Sequence, residues 1–406
     1  MNWKVSRAFT TIGSGTTPKS DDASYYDGTI NWLITGDVND GEIKNIDRKI
    51  TAKALSDYSA LHIYPVGSIV ITMYGAIGKI GMLTEPSTVN QACCVLVPGK
   101  NVFPKYALHY FLATRHQLIE LGVGGVQSNV SQDIIKSLRI SLPSVEMQRN
   151  IASYLDRKVS IIDKIIAAKN HTHTHLLELR QAIITDAVLG RGGVGVNYRQ
   201  TNIPWIGKIP AHWQVRRIKD IADISVGWTP DTNNPDYFNG NNTWVTIADM
   251  NQKYIVSSKV KISNEAIDSS RIKLVKKGSL LYSFKLSVGK VAFAGKDLYT
   301  NEAIAAITPN YNDEVDTSFL YYAISIYLAN NANENIYGAK IMNQDTIRNS
   351  YVAFPDINEQ LKISRTLDKK VRNIDNAVSI NKQSIQLLNE YRSSLISNVI
   401  SGKVEV

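Results

Sequence analysis

"LPSVEMQRNIASYLDRKVSIID", residues Leu142–Asp163, returns 212 residues later as "FPDINEQLKISRTLDKKVRNID", residues Phe354–Asp375. Pro, Gln, Ile, Leu, Asp, Lys, Val, Ile and Asp coincide without a gap. The repetition extends upstream. "GTTP" at Gly15–Pro18 falls on "GWTP" at Gly227–Pro230, "YYDG" at Tyr25 on "YFNG" at Tyr237, and Trp32 and Asp37 on Trp244 and Asp249. After a one-residue slip, "GSIVITMYGAIGKIG" from Gly67 matches "GSLLYSFKLSVGKVA" from Gly278, and "VNQACCVLVP" matches "TNEAIAAITP". A period this long is no solenoid repeat. The chain is a duplicated pair, each copy a globular part followed by a helix.

The helix follows from spacing. Apolar residues at Ile151, Leu155, Val159, Ile162 and Ile166, and again at Ile363, Leu367, Val371, Ile374 and Val378, step by three and four along one helical face. Leu177, Ile184 and Val188 extend the first stripe; Ile385, Leu388, Leu395 and Val399 extend the second. Neither segment has an internal Pro or Gly, and each stops at a glycine, Gly190 or Gly402, as helix C-termini often do. At 1.5 Å per residue each helix of about 45 residues spans roughly 65–70 Å. A single apolar stripe that long must be buried. The expectation is that the two helices pair with each other as an antiparallel coiled coil, holding the globular parts apart; the alternative is that each folds back on its own domain.

The globular parts show short β-rich runs such as "GSIVITMY", "ACCVLV" and "GSLLYSF" between Gly/Pro/Asn turns, with one helix expected over "KYALHYFLATRHQLIEL". The predicted fold class is therefore α+β: two tandem mixed α/β domains, each followed by a long helix. Between the copies, "GRGGVGVNYRQTNIPWIGKIPAHWQVRRIKD" marks a linker and then a lead-in to the second domain.

Bulk numbers agree with an ordinary globular protein. The 406 residues are 44% hydrophobic and 20% charged, enough to bury cores. A net charge of +9 permits nucleic acid as a partner without requiring it. No apolar run reaches the length of a membrane span, and "MNWKVSRAFTTIG" has no signal-peptide core. The adjacent Cys93 and Cys94, in an apolar run, are expected to be buried, reduced thiols. A cytoplasmic protein is expected.

With these residues in hand, the chain resembles the specificity (S) subunits of type I restriction-modification systems. "IPWIGKIPAHWQVRRIKDIA" (Ile203–Ala222) is similar to the lead-in of their target-recognition domains, and "LP…Q…IA…LD" and "FPDINEQ…IS…LD" to the starts of their two helices. The "GxTP" turns followed by a Trp and an Asp are similar to the first strands of those domains. The resemblance covers nearly the whole chain, with two departures. The first copy lacks the "IPxHW" lead-in, and it has "VEMQ" where the second has "NEQ". It implies a first target-recognition domain over 1–142, a first spacer helix over 143–190 and a linker over 191–204. A second recognition domain over 205–354 and a second helix over 355–406 complete the plan.

The resemblance further implies a subunit that performs no chemistry and holds no cofactor. Each domain would read one half of a split, asymmetric DNA target, while the helices space the half-sites and dock two methyltransferase (M) subunits. Restriction (R) subunits would join the complex; no membrane is involved. A two-fold dimer reads a palindrome, whereas a covalent pseudo-dimer with diverged domains can read two different half-sites.

The rival reading is a DNA-modifying enzyme, a methyltransferase or nuclease with diverged motifs, and the duplication is an internal control on it. "NPDY" at Asn234 resembles a base-flipping pocket, but its counterpart is "DASY". Pro355, Asp356, Asp368 and Lys370 loosely spell a nuclease pattern, which Pro143-Ser144 breaks in the other copy. "GK" at Gly78-Lys79 and Gly289-Lys290 lacks the upstream glycine of a phosphate loop and leaves a repeated basic turn. "HTHTH" at His171–His175 has metal-capable spacing, yet Gln383, Ile385 and Leu387 replace it in the second copy, so a polar helix surface is favoured. Trp32 and Trp244 are expected in the core rather than stacked on bases. The shared Glu-x-Arg at Glu178 and Glu390 is either a solvated helix face or part of a docking surface.

Base reading needs hydrogen-bonding side chains with cations on the phosphates around them. The loops at "GTTPKS", "GWTPDTNN", "MYGAIGK", "FKLSVGK", "GGVQSNV" and "YGAKIMN" supply the candidates. They are Thr17, Lys19, Tyr74, Lys79, Gln127 and Ser128 in the first domain, and Trp228, Thr229, Lys285, Lys290 and Lys340 in the second.

Overall fold

The computed structural model describes residues 2–121, 129–193, 195–285, 287–310, 314–330, 333–334 and 340–406. It divides into two compact units, Met1–His171 with Asn381–Val406, and Thr172–Ile380. Each unit holds one globular domain, the start of the long helix that follows it and the end of the other long helix.

The two domains repeat one sheet plan. In the first, a five-stranded sheet runs in the order Phe9–Gly13, Cys93–Pro98, Ile69–Thr72, Ile80–Leu83, Gly41–Ile43, antiparallel except for the last pair. The second has Ala222–Val226, Ile304–Pro309, Leu280–Ser283, Val291–Ala294, Tyr254–Ile255, with the same senses. A three-stranded sheet accompanies each, centred on Tyr26–Leu33 and on Asn242–Val245. A strand at each domain's start pairs with the strand before its long helix: Asn2–Lys4 with Arg139–Ser141, and Gln214–Arg217 with Tyr351–Phe354. Each domain therefore begins and ends at its helix.

Local chemistry explains the repeated motifs. Gly15 and Gly227 of the "GxTP" turns lie so close to the backbone of the neighbouring strand that an added Cβ would sit 1.6 Å from the Val89 oxygen or 2.1 Å from that of Thr300. Trp32 and Trp244 are each 7% exposed. Their indole N–H groups donate into the same turns, to Thr16 O at 3.2 Å and Trp228 O at 3.1 Å. Both tryptophans are core, as expected. Asp37 and Asp249 accept from the backbone N–H of Ile34 (2.9 Å) and Thr246 (2.8 Å), closing a short 3-10 turn. Cys93 and Cys94 are free, fully buried thiols, pushed up to about 12 by burial. A thiol-specific reagent at pH 8 should label neither in the folded protein and both in denaturant.

The long helices run Val145–Val188 and Ile357–Ile400, 44 residues each. They pair antiparallel. In the first unit Leu155, Val159 and Ile162 meet Leu395, Ile396 and Val399, and Arg392 reaches Asp163 at 3.0 Å. In the second, Leu367 and Val371 join Ile184, Val188 and Leu189 in the domain core, and Arg180 reaches Asp375 at 2.8 Å. Packing on the partner helix and packing on the helix's own domain, posed above as alternatives, occur together. Leu155 shares its cluster with Leu112 and Ala113 of the first domain, and Ala152 belongs to that domain's core.

One expectation needs correcting. The single helix over Lys105–Leu121 is two, Pro104–Ala113 and Arg115–Glu120. Thr114 breaks it at φ −102, ψ 11, its hydroxyl donating back to the Tyr110 carbonyl at 2.8 Å in competition with the helical ladder. The stretch expected as linker and lead-in is also ordered in part. Tyr198–Gln200 pairs with Lys208–Pro210, and Ile206, Ile209 and Trp213 are buried in the second domain's core.

Candidate nucleic-acid interface

The repeated Gln of the opening motif fixes each domain on its helix. Gln148 is fully buried; its Nε2 donates to Asn101 O and Pro143 O, each at 2.9 Å, and its Oε1 accepts from Phe103 N at 2.8 Å. Gln360, equally buried, donates to Glu314 O (2.8 Å) and Pro355 O (2.9 Å) and accepts from Asp316 N (2.8 Å). Phe103 and Asp316 are the N-caps of the equivalent domain helices Pro104–Ala113 and Thr317–Ala329. The Asp of "LD", about two helical turns on, adds a second tie. Asp156 takes His109 Nε2 (2.9 Å) and Lys105 Nζ (2.8 Å); Asp368 takes Lys253 Nζ (2.6 Å) and the Tyr322 hydroxyl (2.5 Å).

Both aspartates line a cleft between helix and domain, about 870 Å³ in the first unit and 460 Å³ in the second. Burial pushes each carboxyl up, and the hydrogen bonds from His109 and Lys105, or from Lys253 and Tyr322, outweigh it, so both end below the ordinary 3.8. A carboxyl depressed in the folded state contributes stability that is complete above its unfolded pKa and is lost as pH falls through the folded one. Urea midpoints taken from about pH 6 to pH 3 should therefore fall less steeply for Asp368→Asn than for the wild type.

The loops carry the residues selected from the sequence. Thr17 is exposed and its hydroxyl donates to Gln91 Oε1 at 2.7 Å. Its counterpart Thr229 bonds Glu302, the residue that replaces Gln91. Lys19 is exposed, held at its backbone N–H by the Tyr58 hydroxyl at 3.0 Å. Trp228 is 48% exposed. The hairpin turns after Thr72 and Ser283 are braced identically. Thr72 Oγ1 bonds Ala76 O and accepts from Lys79 N at 3.0 Å; Ser283 Oγ donates to Ser287 O at 2.5 Å and accepts from Lys290 N at 2.9 Å. Outward from these braces point different groups, Tyr74 (39% exposed) in the first domain and the exposed Lys285 in the second. Lys79 is half-buried. Lys290 is tied to Ile247 O at 3.2 Å and lines the cleft beside Asp368.

The structure thus brings Thr17 to Gln91 and Thr229 to Glu302, and sets Lys290 into the cleft, while the exposed Lys285 lies over the Phe284 ring at 5.7 Å. Gln127 and Ser128 lie outside the described residues, and Lys340 is described in its backbone alone, in the strand Lys340–Ile341 paired with Asn333–Glu334. Gln91 and Glu302 were not among the residues selected from sequence. Their signal is a changed polar residue inside the otherwise repeated "N-x-A", where frame stays and side chain varies.

The tempting catalytic motifs are spent on structure. Asn234 of "NPDY" caps its own turn, accepting from Asp236 N, and Asp22 of "DASY" does the same from Ser24 N. Asp356 caps the second long helix through Asn358 N and Glu359 N. About 18 Å of helix separates it from Asp368. In "HTHTH", His175 Nδ1 pairs with Glu178 at 2.9 Å.

The model of the type I restriction modification DNA specificity domain matches residues 3–172 and again 210–390. The chain belongs to this family. Relatives of the same description include the type I restriction enzyme MjaIX specificity subunit of Methanocaldococcus jannaschii, 23% identical over 97% of this chain and 91% of that one. The EcoBI specificity subunit of Escherichia coli is 21% identical over 84% of this chain and 74% of its own. The same fold occurs in a chain from a structural study of a type I R-M system, which matches with TM-score 0.76 at 15% identity, over 98% of this chain and 97% of that one. The HsdS subunit of Thermoanaerobacter tengcongensis matches with TM-score 0.54 at 15% identity, over 100% and 97%. Two family matches in one chain are the duplication of the opening motif seen from outside. Among the described residues no helix is long and apolar enough to cross a membrane.

Proposed function

We propose that the chain is the non-catalytic, DNA-reading subunit of a cytoplasmic type I restriction-modification complex, each domain taking one half of a split, asymmetric target. One observation carries this reading: two identically braced hairpins and two identically pinned "GxTP" turns present different outward side chains. A shared frame with changed tips suits two half-sites of different sequence, with hydrogen-bonding groups (Thr17, Gln91, Thr229, Glu302) on the loops and Lys19 and Lys285 for phosphates. The reading takes 1–142 and 205–354 as the recognition domains and keeps Gln127, Ser128 and Lys340 as candidates.

The helices would dock two M subunits, with R subunits joining the complex. The Glu-x-Arg motif supports this. Its arginines are used in helix pairing, while the middle residues Leu179 and Tyr391 are 48% and 58% exposed at equivalent positions. Leu387, 63% exposed, lies one turn before Tyr391. Such outward apolar pairs on a helix fit a helical partner better than solvent.

The test is to map methylated bases in a genome with and without this gene, then exchange residues 1–142 for those of a relative. One half of the methylated motif should change and the other stay. Affinity for the cognate duplex should fall steeply with salt. Robust methylation by the isolated chain, or binding no better than to random duplex in the presence of M subunits, would sink the reading.

A further inference from the structure

The residue that varies inside the repeated "N-x-A" sits on the same turn in both domains. Asn90 N donates to Leu33 O at 2.9 Å and Asn301 N to Val245 O at 3.0 Å, anchoring each turn to the central strand of its three-stranded sheet. Cys93 N closes the first turn on Asn90 O at 3.3 Å, and Ile304 N the second on Asn301 O at 3.2 Å. The asparagine side chains brace them again, accepting from Ala92 N (3.2 Å) and Ala303 N (3.3 Å). Gln91 and Glu302 take the first corner of these turns, and both are exposed.

The "GxTP" threonines hold the two corners from the side. The Thr17 hydroxyl donates to Gln91 Oε1 at 2.7 Å, and the Thr229 hydroxyl to Glu302 Oε2. The glycine of each "GxTP" lies against the carbonyl of Val89 or Thr300, the residue just before that asparagine, so turn and threonine are locked together. Among the described residues no hydrogen bond occupies Gln91 Nε2 or Glu302 Oε1. On one frame, then, two different groups are held ready. Gln91 offers N–H donors at Nε2 beside an acceptor at Oε1, whereas Glu302 offers acceptors alone.

The major groove supplies distinct complements. Adenine shows an acceptor at N7 beside a donor at N6, and cytosine shows only its N4 donor; guanine shows two acceptors, and thymine one beside its methyl group. A carboxamide matches adenine with both arms. A carboxylate matches cytosine and is repelled by the N7 of either purine and by the O4 of thymine. We propose that Gln91 reads an adenine in the first domain's half-site and Glu302 a cytosine in the second's, with Thr17 and Thr229 as positioning residues that fix the reading group. This inference rests on the DNA-reading role proposed above and adds to it the base that each corner selects.

The test expresses the full-length chain with M subunits and maps the methylated motif for the wild type, Gln91→Glu and Glu302→Gln. Exchange of residues 1–142 tells which half belongs to which domain. Both substitutions lie at exposed corners and keep the oxygen that the threonine holds. Glu302→Gln should move one required base of the second domain's half-site from cytosine to adenine, lowering methylation of wild-type sites roughly tenfold, with the other half unaltered. Gln91→Glu should make the reverse change in the first domain's half-site. Replacing that adenine by 7-deazaadenine, which keeps its pairing with thymine and lacks N7, should weaken duplex binding by the wild-type complex several-fold and leave the Gln91→Ala complex indifferent. Base requirements unchanged in both variants would overturn the assignment, as would shifts at positions the wild type does not read as adenine or cytosine; the split-target reading would then stand without it. A wild-type complex that methylates no split motif would overturn that reading and the assignment together.

Discussion

Gln360→Ala should lower the unfolding free energy by about 2–4 kcal/mol, and Gln148→Ala by a similar amount, read from urea or thermal midpoints. Each side chain makes three hydrogen bonds to main-chain groups from a fully buried position. Truncation leaves an N–H and two carbonyls without partners in a space that alanine does not fill, and an unmet buried group costs about 1–3 kcal/mol. Gln→Glu is the sharper control. It keeps the acceptor and the volume but turns the donor towards two carbonyls into a carboxylate oxygen, so it should be at least as damaging as alanine near neutral pH.

The second large effect is an asymmetry. Gly190 and Gly402 both end a long helix with positive φ, +65 and +76. In each the next residue's N–H closes the end, Arg191 N to Asp186 O at 2.8 Å and Lys403 N to Asn398 O at 2.9 Å. Alanine at either site carries the left-handed penalty of about 1 kcal/mol. At Gly190 its methyl also collides with the ring of Pro210, so the total should reach about 2–4 kcal/mol. At Gly402 there is nothing to strike. Matched Gly→Ala variants compared by thermal unfolding separate the two costs, and equal losses would contradict the packing described.

The duplication made much of this frame legible. A residue repeated at a fixed offset is marked as frame, which is how Gln148 and Gln360, Trp32 and Trp244, and the paired helices stood out. Contacts that cross the chain were opaque. Arg180 and Asp375, like Arg392 and Asp163, are each repeated, but that one copy's arginine meets the other copy's aspartate depends on the antiparallel register. Asn381 shows that register directly, donating at 2.7 Å to the carbonyl of Lys169, the residue 212 before it. The "IPxHW" lead-in and the Glu of "NEQ" read as separate motifs, because Trp213, whose Nε1 donates to Glu359 Oε1 at 3.2 Å, stands 146 positions before it in the chain. The break at Thr114 was hidden by good helix formers on both sides, and the tether on Lys290 depends on Ile247, far away in sequence.

The glutamine clamp has a consequence for how such chains diversify. In both copies it grips the domain only by main-chain groups: Asn101 O and Phe103 N, or Glu314 O and Asp316 N. A socket that feels the path of the backbone and ignores the side chains along it accepts any insert that follows the same path. Under the function proposed above, domains could therefore be traded between chains at the helix starts without renegotiating this joint, and new specificities would arise by exchange as readily as by point substitution.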